Sequence, residues 1–158
     1  MIFWENVFRW IVIGVFLIIL LFAAITDHRK RIIYDACHVV IFILGIPALW
    51  LFPGQSLAAK YIGIFAVSLP MLVLSLLVPG AFGGGDIKLM AACGWMLGWS
   101  GVLCGFVIAV LCGGAVETIK LVLKKANRKD RFAMGPYLAA GMTAAMFGGD
   151  FFIAWFLQ

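Results

Sequence analysis

Residues 81–90 read AFGGGDIKLM and place one acid, Asp86, behind three glycines at the edge of an apolar segment. A charged side chain inside a membrane span costs about 2.5–3.5 kcal/mol on insertion scales, so an acid at this position indicates a function. Gly83, Gly84 and Gly85 carry no side chains and would leave the Asp86 carboxylate open to another chain. The alternative is a helix N-terminus, where an acid interacts favourably with the helix dipole. For Asp86 taken alone, both interpretations stay open.

The composition is that of an integral membrane protein. Of the 158 residues, 65% are hydrophobic and 12% are charged, whereas soluble domains carry about 25% charged residues. Five apolar stretches approach or exceed the roughly 20 residues that cross a bilayer as helix; they are residues 8–26, 36–52, 58–78, 89–123 and 134–157. Because the loops between them are short, we expect residues 1–158 to form a single transmembrane domain without a soluble domain.

The distribution of charge predicts the orientation of the chain. Ten of the twelve Lys and Arg residues lie in or beside three places, which are residues 29–31, Lys88 and residues 120–131. Basic loops stay in the cytoplasm, so these loops are assigned to one cytoplasmic face and the N-terminus to the outside. The tryptophans fall near the opposite ends of the spans, where aromatic belts form. The net charge of +5 is therefore attributed to topology and to the lipid bilayer as a partner, and we expect no nucleic acid binding.

The stretch 89–123 contains too many residues for one crossing. A single span would place the basic residues 124–131 outside, against the positive-inside rule. A hairpin that bends near residues 98–101, whose sequence is Gly-Trp-Ser-Gly, keeps that loop inside. The sequence therefore predicts an all-α bundle of six transmembrane helices, in which the fourth helix, about residues 87–97, is short.

A second acid, Asp27, ends the first apolar stretch just before a basic loop. Two apolar stretches separate Asp27 from Asp86, so both acids are predicted to face the cytoplasm. Two carboxylates that share a site cannot both ionise easily, and one of them keeps its proton. The ionised carboxylate can then take a proton from water while the protonated one polarises a carbonyl, which is the chemistry of an aspartic protease. This chemistry uses no metal and no cofactor, and we expect neither.

The chain resembles the type IV prepilin peptidases, which are GxGD membrane aspartic proteases. The residues from Gly83 to Asp86 match the GxGD motif, and Lys88 continues the DxK pattern of the family. Asp27 is similar to the first catalytic aspartate of the family, which ends a span before a basic loop containing Ile-Pro-Asn. Tyr34 and Asp35 stand where that loop usually has proline and asparagine. Residues 133–137, with the sequence AMGPY, resemble the Phe-Gly-Pro segment that opens the last helix of the family.

The resemblance implies a bacterial inner-membrane protein whose active site faces the cytoplasm. Its implied partner is a prepilin-like precursor with a short basic leader that ends in glycine, followed by an apolar helix. Larger members of the family add a cytoplasmic domain with paired CxxC motifs and methylate the new N-terminus. This chain resembles the short, peptidase-only members of Flp-type tight-adherence systems, so methyltransferase activity is not expected.

Three further charged residues are candidates for substrate contact. Lys88 could bias the acid pair or bind a lipid phosphate, although an ordinary positive-inside lysine is preferred. Asp35 and Glu117 could receive a basic leader, although Glu117 is also placed to pair with Lys120 three residues later. Two other functions stay open: a small transporter that uses the two acids as ion or proton sites, and a non-catalytic scaffold for pilus assembly. The sequence does not decide the oligomeric state.

Overall fold

The computed structural model describes the backbone of residues 2–52, 56–123 and 133–156, and the side chains of residues 3–52, 56–123 and 133–148. Every regular element in these ranges is a helix. In chain order they are α1 (Ile2–Lys30), α2 (Asp35–Leu44), α3 (Ala48–Leu51), α4 (Leu57–Leu77), α5 (Gly84–Val122) and α6 (Gly135–Phe156). The prediction of an all-α chain is confirmed over the described residues.

Three of the described helices, α1, α4 and α5, are long and apolar enough to cross a membrane. Large apolar side chains are exposed along all three, as expected where lipid replaces water as the surrounding solvent. The transmembrane character of the chain therefore follows from these helices. The count of six crossings and the outside position of the N-terminus stay predictions.

The second predicted span differs from the structure. In place of one helix over residues 36–52, the chain forms α2, α3 and a break at residues 45–47. Pro47 has no backbone N–H to give to a continuing helix. Gly45 lies against the Trp95 ring of α5, which leaves no room for a side chain at that position. With ten residues, α2 is about 15 Å long and is too short to cross a bilayer alone.

The helix α5 consists of two arms joined at Gly98. Gly98 has φ 74° and ψ 174°, which is outside the helical region. A straight helix would separate Asp86 from Lys120 by about 51 Å. Both nevertheless lie near the start of α6. Asp86 interacts with Asp27, which binds Gly135, and Lys120 interacts with Tyr137. The chain therefore reverses at Gly98, the first residue of the predicted bend.

Glycines set the distances between α5 and its two neighbours. The backbones of Gly63 on α4 and Gly94 on α5 touch, so that a β-carbon at Gly94 would collide with the Gly63 carbonyl. Gly141 on α6 meets the carbonyl of Gly105 in the second arm of α5 in the same way. Small residues let helix backbones approach closely in membranes, where packing rather than the hydrophobic effect drives association. These contacts make α5 the central element, with α4 against one arm and α6 against the other.

Candidate acid-pair site

The ends of α1 and α5 carry the two predicted acids, and we call this region of the molecule the acid end. Asp27 lies one turn before the end of α1, and Asp86 lies in the first turn of α5. Both are buried, with 7% of Asp27 and 8% of Asp86 exposed. The two carboxylates are close enough to interact electrostatically. The two acids, 59 residues apart in sequence, are thus both buried at the acid end.

The loop between α1 and α2 begins just after Asp27 and packs against the residue that precedes Asp86. Ile33 in this loop is buried, and a β-carbon added at Gly85 would lie 3.1 Å from its Cβ. Arg31, at the start of the loop, has φ 56° and donates its backbone N–H to the Asp27 carbonyl at 2.9 Å. The loop therefore leaves α1 in a left-handed turn and packs against the first turn of α5.

The glycine run does not form an open loop over its whole length. Gly84 and Gly85 belong to the first turn of α5, and Gly83 is the residue that precedes the helix. The Asp86 Oδ2 accepts a hydrogen bond from the Gly83 backbone N–H at 3.3 Å, which is half of a capping box. Asp86 is therefore at a helix N-terminus, as the alternative interpretation had it. A β-carbon at Gly84 would meet no atom of the described residues within 4 Å.

The carboxylate of Asp27 binds the start of the last helix. Its Oδ2 accepts a hydrogen bond from the backbone N–H of Gly135 at 2.8 Å, and this bond is buried. A β-carbon at Gly135 would lie 2.7 Å from both Oδ2 and Cβ of Asp27. The sequence predicts only that Gly135 opens the last helix. Its contact with Asp27 could not be read from the sequence, because the two residues are 108 positions apart.

The other candidate residues at the acid end form ion pairs. The Nζ of Lys88 lies 2.8 Å from Oδ1 of Asp35, and both side chains are largely exposed, at 61% and 74%. The ammonium group of Lys88 lowers the pKa of the Asp35 carboxyl, first by its hydrogen bond and then by its charge. His38, which sequence analysis did not single out for this site, is buried with its Nδ1 3.4 Å from the same Asp35 oxygen. Lys88 thus has a defined protein partner.

Glu117 is separate from this group of residues and lies on the second arm of α5. Its Oε1 is 2.6 Å from the Nζ of Lys120, so the predicted pairing of these two residues is confirmed. Glu117 and Thr118 line a surface cavity of about 450 Å³ together with apolar residues of the same helix.

In the described ranges, no group of three or more His, Cys, Asp or Glu residues is arranged to hold a metal ion.

Comparison with known proteins assigns the chain to a family. The family model described as Type IV leader peptidase family matches residues 14–117 and includes both acids. The chain belongs to this family. The resemblance to type IV prepilin peptidases that the sequence motifs predicted is therefore confirmed.

The chain is similar to proteins from several bacteria that are named "Prepilin leader peptidase/N-methyltransferase". A protein of Bacillus subtilis (strain 168) is 29% identical over 146 residues, which are 91% of this chain and 58% of the relative. One from Xanthomonas campestris pv. campestris is 27% identical over 155 residues, 93% of this chain and 54% of the relative. A Legionella pneumophila protein is 35% identical over 75 residues, 48% of this chain and 26% of the relative. The chain spans little more than half the length of the first two relatives. No solved structure matches it significantly.

Proposed function

We propose that this chain is a membrane aspartic endopeptidase that removes the short basic leader of type IV prepilin-like precursors at the cytoplasmic face of the inner membrane. The family membership supports the peptidase class, and the names of the relatives support the substrate class. The observation that carries the proposal is the approach of two buried carboxylates, Asp27 and Asp86, from different helices. The proposal is confined to hydrolysis and does not extend to methylation.

The reaction follows from the properties of two interacting acids. One carboxylate takes a proton from water, and the hydroxyl attacks the carbonyl carbon of the scissile peptide while the other acid donates its proton to the carbonyl oxygen. The tetrahedral intermediate then collapses, the C–N bond breaks, and the leaving amine receives the proton taken from water. Two coupled acids titrate as a pair, so the cleavage rate should rise and then fall with pH.

The position of the pair suits a substrate that already spans the membrane. Both acids lie at helix ends, where the leader of such a substrate would leave the bilayer. A confined and oriented helix loses less entropy on reaching the acids than a free peptide does. Gly84, which has open space beside it, is the point at which we propose that the extended segment approaches, next to Gly83 and Gly85.

Asp35 is the proposed contact for the basic leader. It is largely exposed and lies at the acid end. A leader lysine or arginine would share or replace the interaction of Asp35 with Lys88, at little cost because exposed ion pairs are weak. Glu117 is a second candidate for this role, although its partner Lys120 must then be displaced.

The test is co-expression with a precursor that has a basic leader ending in glycine and an apolar helix. The variants Asp27→Asn and Asp86→Asn remove one carboxylate each, and Glu5→Gln removes an exposed acid in the first turn of α1 as a matched control. We expect cleavage by the parent and by Glu5→Gln, and a loss of at least about 100-fold for each aspartate variant, as for a missing general acid or base. Cleavage by either aspartate variant at the rate of the parent would exclude the acid-pair mechanism.

A further inference from the structure

The start of α6 provides a hydrogen-bond donor that α6 itself cannot use. The first backbone N–H groups of a helix have no acceptor within the helix. In α6 the amides of Tyr137 and Leu138 are bonded to the carbonyl of Met134, whereas the amide of Gly135 points to Asp27 and donates to Oδ2 at 2.8 Å. Because Asp86 also lies at the start of a helix, the helix dipole does not distinguish the two acids. The short hydrogen bond from Gly135 is what favours a negative charge on Asp27.

Asp86 has a different environment from Asp27. Its Oδ2 accepts a longer bond, 3.3 Å, from Gly83. Its Oδ1 is buried and has no hydrogen-bond partner among the described residues. A buried carboxylate oxygen without a donor is costly when ionised, and it becomes an ordinary hydroxyl donor when protonated. Of the two acids, Asp86 is thus the one whose surroundings suit the protonated form.

The other titratable groups near the pair do not reverse this asymmetry. On α1, the three basic residues that follow Asp27 are exposed; they are His28, Arg29 and Lys30. On α2, His38 interacts with Asp35 and lies next to the Gly85 backbone. On α6, Tyr137 interacts with Lys120. Within the described residues, the acid whose charge acts on Asp86 is Asp27 itself.

We propose that Gly135 is a positioning residue that holds Asp27 as the ionised member of the pair, so that the shared proton resides on Asp86. The inference rests on the proposed function and assigns the roles of general base and general acid to the two aspartates. Asp27 takes the proton from water and later gives it to the leaving amine. Asp86 gives its proton to the carbonyl oxygen and recovers it when the C–N bond breaks. Gly135 must be glycine because a β-carbon would push the Asp27 carboxylate off the amide.

A measurement without substrate tests the hydrogen bond directly. Met134–Gly135 is the one Met-Gly pair in the sequence, so labelling methionine with ¹³C at the carbonyl and glycine with ¹⁵N selects the Gly135 amide in an NMR spectrum. In Asp86→Asn, which leaves Asp27 as the single acid of the pair, we expect this resonance to move with pH. In the Asp27→Asn/Asp86→Asn double variant it should not move. A Gly135 resonance that is insensitive to pH in Asp86→Asn, or that moves equally in the double variant, would overturn the proposal.

A kinetic measurement tests the role in the reaction. Gly135→Ala is compared with Gly14→Ala, a change on α1 whose β-carbon meets nothing within 4 Å. We expect Gly135→Ala to lower kcat at least tenfold with KM nearly unchanged, and to move the acidic limb of the pH–rate profile upward, because a hydrogen bond to a charged group is lost. Gly14→Ala should match the parent in kcat and in the position of the acidic limb.

A third variant separates positioning from general loosening of α6. Gly141→Ala disturbs the contact of α6 with Gly105 and leaves the Gly135 amide in place. It should lower thermal stability without moving the acidic limb. If the parent cleaves and requires both acids, yet Gly135→Ala keeps the parental profile, the role of Gly135 is wrong while the proposed function stands. If the parent fails to cleave, the proposed function fails, and the NMR titration still decides whether Gly135 binds the ionised Asp27.

Discussion

Lys60 on α4 donates a hydrogen bond from its Nζ to the carbonyl oxygen of Met96 on α5 at 3.2 Å. Lys60 is completely buried, with 0% exposed, and Met96 lies two residues before the break at Gly98. A helix that ends at a break leaves carbonyl groups without intrahelical donors, and its C-terminus carries partial negative charge. The lysine therefore stabilises the end of the arm whose other end holds Asp86.

Replacement of Lys60 should show that a negative charge is not tolerated at the break. Lys60→Glu places a buried negative charge beside carbonyl oxygens, and we expect it to destabilise the fold by about 3 kcal/mol or more. Lys60→Met removes the charge and keeps the length of the side chain, so it should cost much less. Thermal unfolding in detergent measures both.

Ala58→Glu is the control for this pair of variants, because it introduces the same acid at an exposed position two residues earlier. It should lie close to the parent. Equal stability of Lys60→Glu and Lys60→Met would mean that the carbonyl groups at the break do not disfavour a negative charge beside them.

The contact between Gly63 and Gly94 predicts a large effect of one added methyl group. Gly94→Ala forces the α4 and α5 backbones apart because the neighbouring atoms are those of the Gly63 carbonyl. Overpacking of this kind costs about 1–3 kcal/mol. Gly114→Ala is the matched change on the same helix with no atom within 4 Å, and it should be neutral or stabilising by about 0.5–1 kcal/mol through helix propensity. A chemical denaturation series that ranks Gly94→Ala at or above Gly114→Ala in stability would contradict the contact.

The ion pair between Asp35 and Lys88 should show a coupling that depends on pH. Lys88 holds the pKa of Asp35 below its ordinary value of 3.8. A carboxyl whose pKa is lowered on folding contributes stability above its unfolded pKa and loses that contribution as pH falls through the folded pKa. A double-mutant cycle of Asp35→Asn and Lys88→Met should therefore give a small favourable coupling at neutral pH that disappears well below pH 3.8.

Salt provides a second check on the same pair. Both side chains are exposed, so the coupling should shrink with added salt because screening acts fully on surface charges. A coupling that persists unchanged at high salt or at low pH would mean that the two side chains interact through packing instead of charge.

Motifs and apolar length predicted the family, the helical class and the position of the bend in α5. These features depend on local residue types or on the side of the membrane that each segment reaches. The pairing of Glu117 with Lys120 could also be predicted, because residues three apart on a helix are neighbours. The pairing of Asp27 with Asp86 stays a prediction.

The contacts that complete the site could not be predicted, because they join residues far apart in the chain. Nothing in the sequence near Asp27 identifies Gly135 as its donor, and Lys60 had stood out only as a lysine outside the basic clusters. The interruption of the second apolar stretch between α2 and α3 was also not predicted, because apolar length was counted without enough weight on Gly45 and Pro47. Backbone geometry and tertiary packing decide such points.

The left-handed turn at Arg31 offers a stabilising substitution. Arg31 has φ 56°, a region that is unfavourable for side chains with a Cβ and accessible to glycine. Arg31→Gly should raise stability by about 0.5–1 kcal/mol, after allowance for the greater freedom of glycine in the unfolded chain. Arg31→Lys keeps both the positive charge and the strain, so its thermal midpoint should equal that of the parent. Arg31 also donates its backbone N–H to the Asp27 carbonyl. Both variants keep this hydrogen bond, so both should still cleave the substrate. A thermal midpoint for Arg31→Gly at or below that of Arg31→Lys would show that the turn is not strained.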